Sequence, residues 1–372
     1  MGTLWWQHHS RAAPRRVGPR RGREHGGCAA RAVGTSQLGL GIIGIGFGQA
    51  VHVPAFRSDP RCQVVAICAS TTDRARTVAD RLDIAQAYGD WRTIVASPEV
   101  AAVSIAVPPA LQPEIAIAAA RASKHVFCEK PLALNYRDAQ TMLDAVRANG
   151  VANAIDLEFA ELPAYRVAEQ LLRSGELGLI RSVALTWEVR TRSRPADSWK
   201  AQVECGGAAL GGFAAHAIYL VERLFAPVLR LSSPSASLGI VGKRIEAQLE
   251  LVGGLHARLT IATDADPATG HRLEAQGLNG RLVVENRGPD HVRGFTVRVV
   301  SRLTGREKVL PLEELSADGD ARVAAVAPIA SRFVAAALGG PAALPGIAEG
   351  VRVQRVLDAL RVAPADGAWT AV

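Results

Sequence analysis

The chain has 372 residues, of which 48% are apolar and 21% are charged, so it can bury a large core and form two or three domains. It has no run of about 18 apolar residues, which argues against a membrane span. The formal net charge is +8, but the excess is concentrated before residue 37, so the rest of the chain offers no basic domain for nucleic acid.

Residues 1–36 contain seven arginines and one glutamate and show no apolar periodicity. This composition predicts a disordered, Arg-rich extension. Arg15 and Arg16 are not followed by the apolar segment that an export signal requires. A misassigned start codon, an organelle-targeting segment and a nucleic-acid-binding arm are the alternatives for this extension.

The five cysteines show no CxxC spacing. Cys62 and Cys68 flank a predicted buried strand, where cysteine behaves as a small apolar residue. We therefore expect reduced thiols, no disulfide framework, no metal site and a cytoplasmic protein.

From residue 38, short apolar runs alternate with longer helical stretches, a pattern typical of βαβ units and a parallel sheet. We expect an α/β fold in which residues 37–155 form a Rossmann domain with a doubly wound parallel sheet. The predicted strands are LGLGIIGIG, CQVVAICAS, a short strand near Ala87 and Tyr88, AAVSIAVP and HVFCEKP. The predicted helices are DRARTVADRLDI, EIAIAAARASK and Tyr136 to Asn149.

After VANAIDLEF the pattern changes to alternation with a period of two. In SVALTWEVR, Val183, Leu185 and Trp187 share one face, which indicates a half-exposed strand. We therefore expect residues 156–372 to form an α+β domain with a large, open, mainly antiparallel sheet. Its other predicted elements are the strands IEAQLELV, HARLTIATD, HRLEAQG, RLVVEN and FTVRVVSR and the helices VAAVAPIASRFVAAALGG and IAEGVRVQRVLDALRVA.

The stretch GIIGIGFGQ places Gly44, Gly46, Phe47 and Gly48 between the first strand and a helix. Glycine permits positive φ and lets backbone N–H groups approach a pyrophosphate at the helix N-terminus. The spacing is GxGxG, because the usual third glycine would fall at Gln49. The loop predicts dinucleotide binding, and a glycine turn that serves only packing is the alternative.

The end of the second strand bears on the type of dinucleotide. It carries Ser70 and Thr71 in place of the carboxylate that binds the ribose 2′-OH of NAD, and Arg74 and Arg76 follow. Hydroxyl and guanidinium groups suit a phosphate. We therefore favour NADP over NAD, the alternative being that both arginines lie on a solvated helix face.

The glycine loop, HVFCEKPLA and GGAALGGFAAHAIY together resemble the Gfo/Idh/MocA oxidoreductases, from about Leu38 to the end of the chain. Two further similarities are His52-Val53-Pro54 and the prolines that follow the fourth strand. The resemblance implies that Lys130 lies beside the nicotinamide and contacts the reacting oxygen, with Glu129 holding its side chain. The residues expected to contact the cofactor are Gly44, Gly46, Phe47, Gly48, Ser70, Thr71, Arg74, Val107, Pro108, Glu129 and Lys130.

The same resemblance implies a role for His216. Family members carry an aspartate and, four residues later, a histidine, both facing the substrate from one side of a helix. His216 matches the histidine, but Gly212 stands at the aspartate position, and Gln112 stands where members commonly have histidine. An imidazole exchanges protons near neutral pH, so His216 is the candidate acid/base, and Tyr219 is either a second proton carrier or a packing residue.

The segment TRSRPADSWK carries several cations and, by resemblance, approaches the active site. Trp199 and Lys200 are similar to a Trp-Arg pair of the family, and Arg190, Arg192 and Arg194 precede them. These residues predict an acidic substrate such as a uronate or a nucleotide-linked sugar. A solvated surface loop is the alternative.

These features predict an NAD(P)-dependent dehydrogenase or reductase acting on CH–OH groups of a sugar, a cyclitol or a related compound. Relatives that reduce imines or hydrolyse glycosides through transient oxidation leave the reaction open. The alternative from another class is a dinucleotide-bound regulatory or scaffold protein, which Gly212 favours. By resemblance we also expect a homodimer or homotetramer formed through the C-terminal domain, with no nucleic-acid or membrane partner.

Overall fold

The computed structural model describes residues 37–191, 207–234, 243–315 and 319–372, with backbone only at positions 207 and 208. The predicted extension, residues 1–36, lies outside these ranges. No helix within them is long and apolar enough to cross a membrane. The three cysteines that they contain, Cys62, Cys68 and Cys128, are buried free thiols.

The first sheet has six strands, all parallel, in the order β3-β2-β1-β4-β5-β6. Its order reverses beside β1, where the chain crosses from one half of the sheet to the other, so the expected doubly wound arrangement is confirmed. A sixth strand comes from VANAIDLEF, at the predicted domain boundary. The strands are β1 Leu38–Ile43, β2 Cys62–Cys68, β3 Gln86–Tyr88, β4 Ala102–Ile105, β5 His125–Cys128 and β6 Asn153–Ile155.

Helices connect these strands, and polar side chains begin several of them. Thr71 accepts a hydrogen bond from the backbone N–H of Arg74 at the start of α2, and Asn135 does the same for Asp138 at the start of α5. A π-helical turn, Gly48–His52, leads into the first helix. The helices are α1 Val53–Arg57, α2 Thr72–Leu82, α3 Trp91–Ala96, α4 Gln112–Arg121 and α5 Tyr136–Ala148.

The second sheet has nine strands in the order β14-β13-β12-β11-β7-β10-β9-β8-β15. Every neighbouring pair is antiparallel except β7 and β10, so the expected mainly antiparallel sheet is confirmed. Val183, Leu185 and Trp187 are buried on one face, as the alternation predicts. The strands are β7 Ile180–Glu188, β8 Val228–Ser232, β9 Arg244–Leu251, β10 His256–Ala262, β11 Gly270–Gly277, β12 Gly280–Asn286, β13 Thr296–Ser301, β14 Glu307–Leu310 and β15 Thr370–Ala371.

Four further helices are α6 Pro163–Ser174, α7 Ala215–Leu224, α8 Ala321–Ala337 and α9 Ile347–Val362. A π-helical segment, Gly207–Ala214, runs directly into α7. The last two helices return to the first sheet: α8 packs on α1, and α9 packs on both α5 and α7. Phe333 of α8 places its ring 6.1 Å from Phe56 and 5.6 Å from Phe127. This packing fixes the first sheet against the layer that contains α7.

Candidate active site

The glycine turn follows β1, and its three glycines meet three different surroundings. Gly44 has φ +110°, and a Cβ there would lie 2.2 Å from the Ala106 carbonyl oxygen. A Cβ on Gly48 would lie 3.0 Å from Ile42 Cγ2, so Gly48 allows the helix to pack closely on β1. A Cβ on Gly46 would meet no atom of the described residues within 4 Å. Gly46 therefore borders the open space that a pyrophosphate needs.

The ends of β2 and β4 lie beside this turn. The Gly44 N–H donates to the Cys68 carbonyl at 2.9 Å, and Val107 Cγ1 lies 3.3 Å from the Cβ position of Gly44. At the end of β2, Arg74 Nη1 donates to Ser70 Oγ at 2.7 Å. The structure thus places Gly44, Ser70, Arg74 and Val107, four of the residues predicted to bind the dinucleotide, at one edge of the sheet, where such ligands bind.

Lys130 follows β5 at the same edge. Its Nζ donates to the carbonyl oxygens of Gly212 at 3.0 Å and Gly211 at 3.4 Å, both in the segment that leads into α7. His216, in the first turn of α7, is buried, and burial and then the Lys130 charge hold its pKa well below the usual value. The amine therefore lies against the segment that leads to His216, close enough for its charge to act on the imidazole, which is neutral at neutral pH.

Glu129 is arranged differently from the expectation. Its Oε1 lies 3.0 Å from His52 Nε2, and its Oε2 accepts the backbone N–H of Lys130 at 3.1 Å. Burial favours a higher pKa for Glu129, but the His52 hydrogen bond and the charges of His52 and Lys130 lower it. Among the described contacts, the Lys130 ammonium is bound by backbone carbonyls, and Glu129 acts on it through its charge and through the main chain.

The sequence analysis did not identify two buried acids on which the Lys130 charge acts, Asp156 and Glu158. Asp156 Oδ2 lies 3.2 Å from His52 Nε2, and Glu158 Oε2 lies 3.6 Å from His216 Nδ1. Burial and the Glu129 charge raise the pKa of Asp156, and burial and the Asp156 charge raise that of Glu158. The sequence feature that could have identified them is a pair of acids in an apolar stretch directly after β6. This strand pairs in parallel with β5, so its carboxyl end lies beside Lys130.

His52, Glu129 and Asp156 each offer one ligand atom, and these atoms lie within 4.8 Å of one another. The group could hold a metal ion. However, His52 Nε2 already lies between the two carboxylates, and its Nδ1 is 2.7 Å from Ser104 Oγ. A hydrogen-bonded cluster accounts for these contacts, and the expectation of no metal stays a prediction.

The other candidate residues are placed as follows. The Tyr219 hydroxyl accepts from Arg223 Nη1 at 3.3 Å, and burial raises the pKa of that hydroxyl. Gln112 is buried, and its amide donates to the Pro131 carbonyl at 2.7 Å, which supports the loop after β5. Arg190 pairs with Asp266 at 2.8 Å. Outside the described residues lie Arg192, Arg194, Trp199 and Lys200.

Family models match both parts of the chain that contribute residues to this site. Residues 38–156 match the family model described as "Oxidoreductase family, NAD-binding Rossmann fold", and residues 165–283 match the "GFO/IDH/MocA C-terminal domain". The chain belongs to the Gfo/Idh/MocA family. It is therefore an NAD-binding oxidoreductase, which confirms the predicted family and fold.

This Gfo/Idh/MocA oxidoreductase has similar curated relatives. It is 31% identical over 363 residues to an uncharacterized oxidoreductase of Synechocystis sp.. The aligned region covers 90% of this chain and 96% of that protein. It is 32% identical over 198 residues to the levoglucosan dehydrogenase of Pseudarthrobacter phenanthrenivorans, covering 50% of this chain and 51% of that protein. A solved levoglucosan dehydrogenase in complex with NADH superposes with a TM-score of 0.79 at 25% identity, over 90% of this chain and 99% of the other.

An aromatic cluster supports His216 in this oxidoreductase. The Phe159 ring lies 4.7 Å from both His216 and Trp187, and Trp187 lies 4.3 Å from His271. His271 Nε2 hydrogen-bonds to the Tyr165 hydroxyl. Burial, with a smaller effect of the His291 charge, lowers the pKa of His271 to about 3.

This low pKa predicts an acid-sensitive fold. The usual pKa of histidine is 6.5, so below that pH the unfolded chain binds a proton that folded His271 excludes, and stability is lost as the pH falls. Going from about pH 7 to about pH 5 should cost the wild type about 2 kcal/mol more than it costs His271→Gln, measured by urea unfolding. His256 is exposed, so His256→Gln should lose as much unfolding free energy as the wild type over this pH range. Equal losses in the wild type and in His271→Gln would refute the prediction.

Proposed function

We propose that this protein is an NADP-dependent dehydrogenase that transfers a hydride between the nicotinamide and a hydroxyl-bearing carbon of a sugar or cyclitol. The observation that carries the proposal is the meeting of Lys130 and His216 at the carboxyl edge of the first sheet, beside the glycine turn. Relatives with 31% to 32% identity over part of the chain include an inositol 2-dehydrogenase and a levoglucosan dehydrogenase. Their names support a polyol or sugar substrate.

The chain's own residues suit this chemistry. The glycine turn and the ends of β2 and β4 would hold an oxidised nicotinamide dinucleotide, which would supply the acceptor for the hydride released when the C–H bond of the alcohol carbon breaks. His216, neutral at neutral pH, takes the proton of the hydroxyl group as the O–H bond breaks and the carbonyl forms. The Lys130 ammonium stabilises the negative charge that develops on that oxygen. In the reverse direction, His216 returns the proton to the oxygen as a hydride from the reduced cofactor would add to the carbonyl carbon, which regenerates the alcohol.

The cofactor residues fit a dinucleotide with a 2′-phosphate. Gly46 borders open space at the start of a helical turn, where backbone N–H groups bind phosphate. The Arg74 guanidinium and the Ser70 hydroxyl are joined at the end of β2, where the 2′ position of an adenosine ribose is read. They support NADP as the preferred cofactor.

Exchanging Arg74 for glutamine should weaken NADPH binding about tenfold or more and change NADH binding about twofold at most, because only NADPH carries the 2′-phosphate that a guanidinium binds. Titration of the purified protein with each dinucleotide, followed by nicotinamide fluorescence, measures both values. Arg121→Gln, at an exposed position in the last turn of α4 and away from the carboxyl edge of the sheet, is the control and should change neither. An equal loss for both dinucleotides in Arg74→Gln would exclude the assigned 2′-phosphate contact.

The reaction itself is tested with a panel of neutral sugars, anhydrosugars, cyclitols and uronates. With NADP⁺ present, at least one compound should produce NADPH, detected by its absorbance. Preference for uronates would support the acidic substrate that the cationic segment predicts. Absence of turnover in both directions across the panel would favour the regulatory alternative. The homo-oligomeric state and the cytoplasmic location stay predictions.

A further inference from the structure

One ring nitrogen of His216 has no hydrogen-bond partner among the residues that the structure describes. Its Nδ1 is buried and makes no hydrogen bond with the described residues. Leaving a buried ring nitrogen unsatisfied costs about 1–3 kcal/mol, so such atoms call for an explanation. The residue four positions earlier, whose side chain would lie beside His216 on the helix, is Gly212, which has no side chain to offer.

The carboxylate that Nδ1 faces is Glu158. The distance from Nδ1 to Glu158 Oε2 is 3.6 Å, within ion-pair range and slightly beyond a hydrogen bond, and both side chains are buried, at 3% and 7% exposure. Glu158 lies in the 3₁₀ turn Glu158–Glu161, directly after the chain leaves β6. Contacts of catalytic groups at this distance commonly shorten when substrate binds.

We propose that Glu158 is the positioning residue for His216: it accepts the Nδ1–H of the imidazole and so leaves the lone pair of Nε2 for the substrate proton. This inference rests on the proposed function, because it takes proton transfer to be the task of His216. A neutral imidazole has one N–H, and the partner of one nitrogen decides which nitrogen carries it.

The surrounding charges explain why a carboxylate is needed. Lys130 lies close enough to lower the pKa of His216, so an imidazolium that forms by taking a proton is repelled by the ammonium. An ionised Glu158 on the Nδ1 side would offset that repulsion. Burial and the Asp156 charge raise the pKa of Glu158 and so favour its protonated form, whereas a hydrogen bond from Nδ1–H favours the carboxylate. The proposal therefore rests on the 3.6 Å contact between Nδ1 and Glu158 Oε2.

The first readout needs no cofactor and no substrate. Nitrogen NMR of histidine-labelled protein distinguishes a protonated from an unprotonated ring nitrogen, and His216→Gln identifies the His216 signals. The wild-type ring should carry its proton on Nδ1, and Glu158→Gln should shift it toward Nε2. Glu161→Gln is the matched control: it lies in the same turn but pairs with Arg332, so the His216 signals should not move.

The second readout is turnover of the best compound from the panel. Glu158→Gln should lower kcat about 10²-fold with KM changed by about threefold or less, since the residue acts on the proton transfer. Adding Gly212→Asp should restore at least about tenfold of that loss and return the proton to Nδ1, because a carboxylate four residues earlier on the helix reaches the same ring. Apart from the neighbouring backbone of the same helix, no atom of the described residues lies within 4 Å of the Cβ position of Gly212, which leaves room among them for aspartate.

The two readouts test the role of Glu158 separately from the proposed dehydrogenase activity. A wild-type ring with its proton on Nε2, or the same tautomer and the same kcat in wild type and Glu158→Gln, overturns the role of Glu158 while the dehydrogenase stands. A tautomer that responds to Glu158→Gln in a protein that oxidises nothing in the panel supports the contact and removes the proposed function.

Discussion

Lys130→Met should lower kcat for the best panel substrate by about 10² to 10³-fold, the effect of removing one group that stabilises a developing oxyanion. Methionine keeps the length and the apolar stem of lysine, so the change removes the charge and the two hydrogen bonds to Gly211 and Gly212. NADPH affinity should change by about threefold or less, because a loss confined to the transition state appears in kcat. Single-turnover measurements with saturating NADP⁺ separate the chemical step from product release.

Lys124 provides a matched control for this change. Lys124 comes just before β5, and Lys130 comes just after it. Like Lys130, Lys124 donates from Nζ to two backbone carbonyls, those of Ser97 at 2.9 Å and Val100 at 2.7 Å. It lies at the amino end of the strand, away from the glycine turn. Lys124→Met should therefore leave kcat unchanged. If Lys130→Met also turned over at the wild-type rate, the ammonium would have no role in the reaction.

The periodicities predicted the main elements because each reflects a local rule. A strand with one buried face alternates, and β7, β9, β10, β11, β12 and β13 all lie where the alternation predicted them. The edge strands β14 and β15 and the short strand β8 were missed, since short segments with mixed exposure show no clear period. Periodicity also could not show that α8 packs on the first sheet, because an apolar helix face does not identify its partner.

Some residues of the candidate site were likewise predicted from the sequence, and others were missed. Lys130 and His216 were found through motifs, and the structure brings them together across the two layers. Asp156 and Glu158 were missed because a motif search looks for known spacings, whereas their importance comes from burial beside Lys130 and His216. Acidic residues in an apolar stretch at the end of a parallel strand are the signal that could have identified them.

Gly44 and Gly46 lie two residues apart in one turn, but alanine at each position should affect a different property. Gly44→Ala should lower the stability of the fold, and Gly46→Ala should lower the affinity for NADPH. At Gly44 an added Cβ would lie 2.2 Å from the Ala106 carbonyl oxygen and 2.7 Å from its carbonyl carbon, and the backbone has φ +110°. Both contacts are with main chain at the end of β4, a central strand that cannot move aside. Backbone strain and overpacking each cost about 1–3 kcal/mol, so Gly44→Ala should lower the free energy of unfolding by several kcal/mol or prevent folding.

At Gly46 the same methyl group meets no atom within 4 Å in the part of the chain that the structure describes, and the residue does not need positive φ. Gly46→Ala should therefore keep the unfolding free energy within about 0.5 kcal/mol of wild type, yet weaken NADPH binding about tenfold or more, because the methyl occupies space that the pyrophosphate must approach. Urea unfolding and dinucleotide titration of both variants provide the comparison. A stable Gly46→Ala protein with unchanged NADPH affinity would show that the dinucleotide does not approach this turn, and the cofactor assignment would then have to be abandoned.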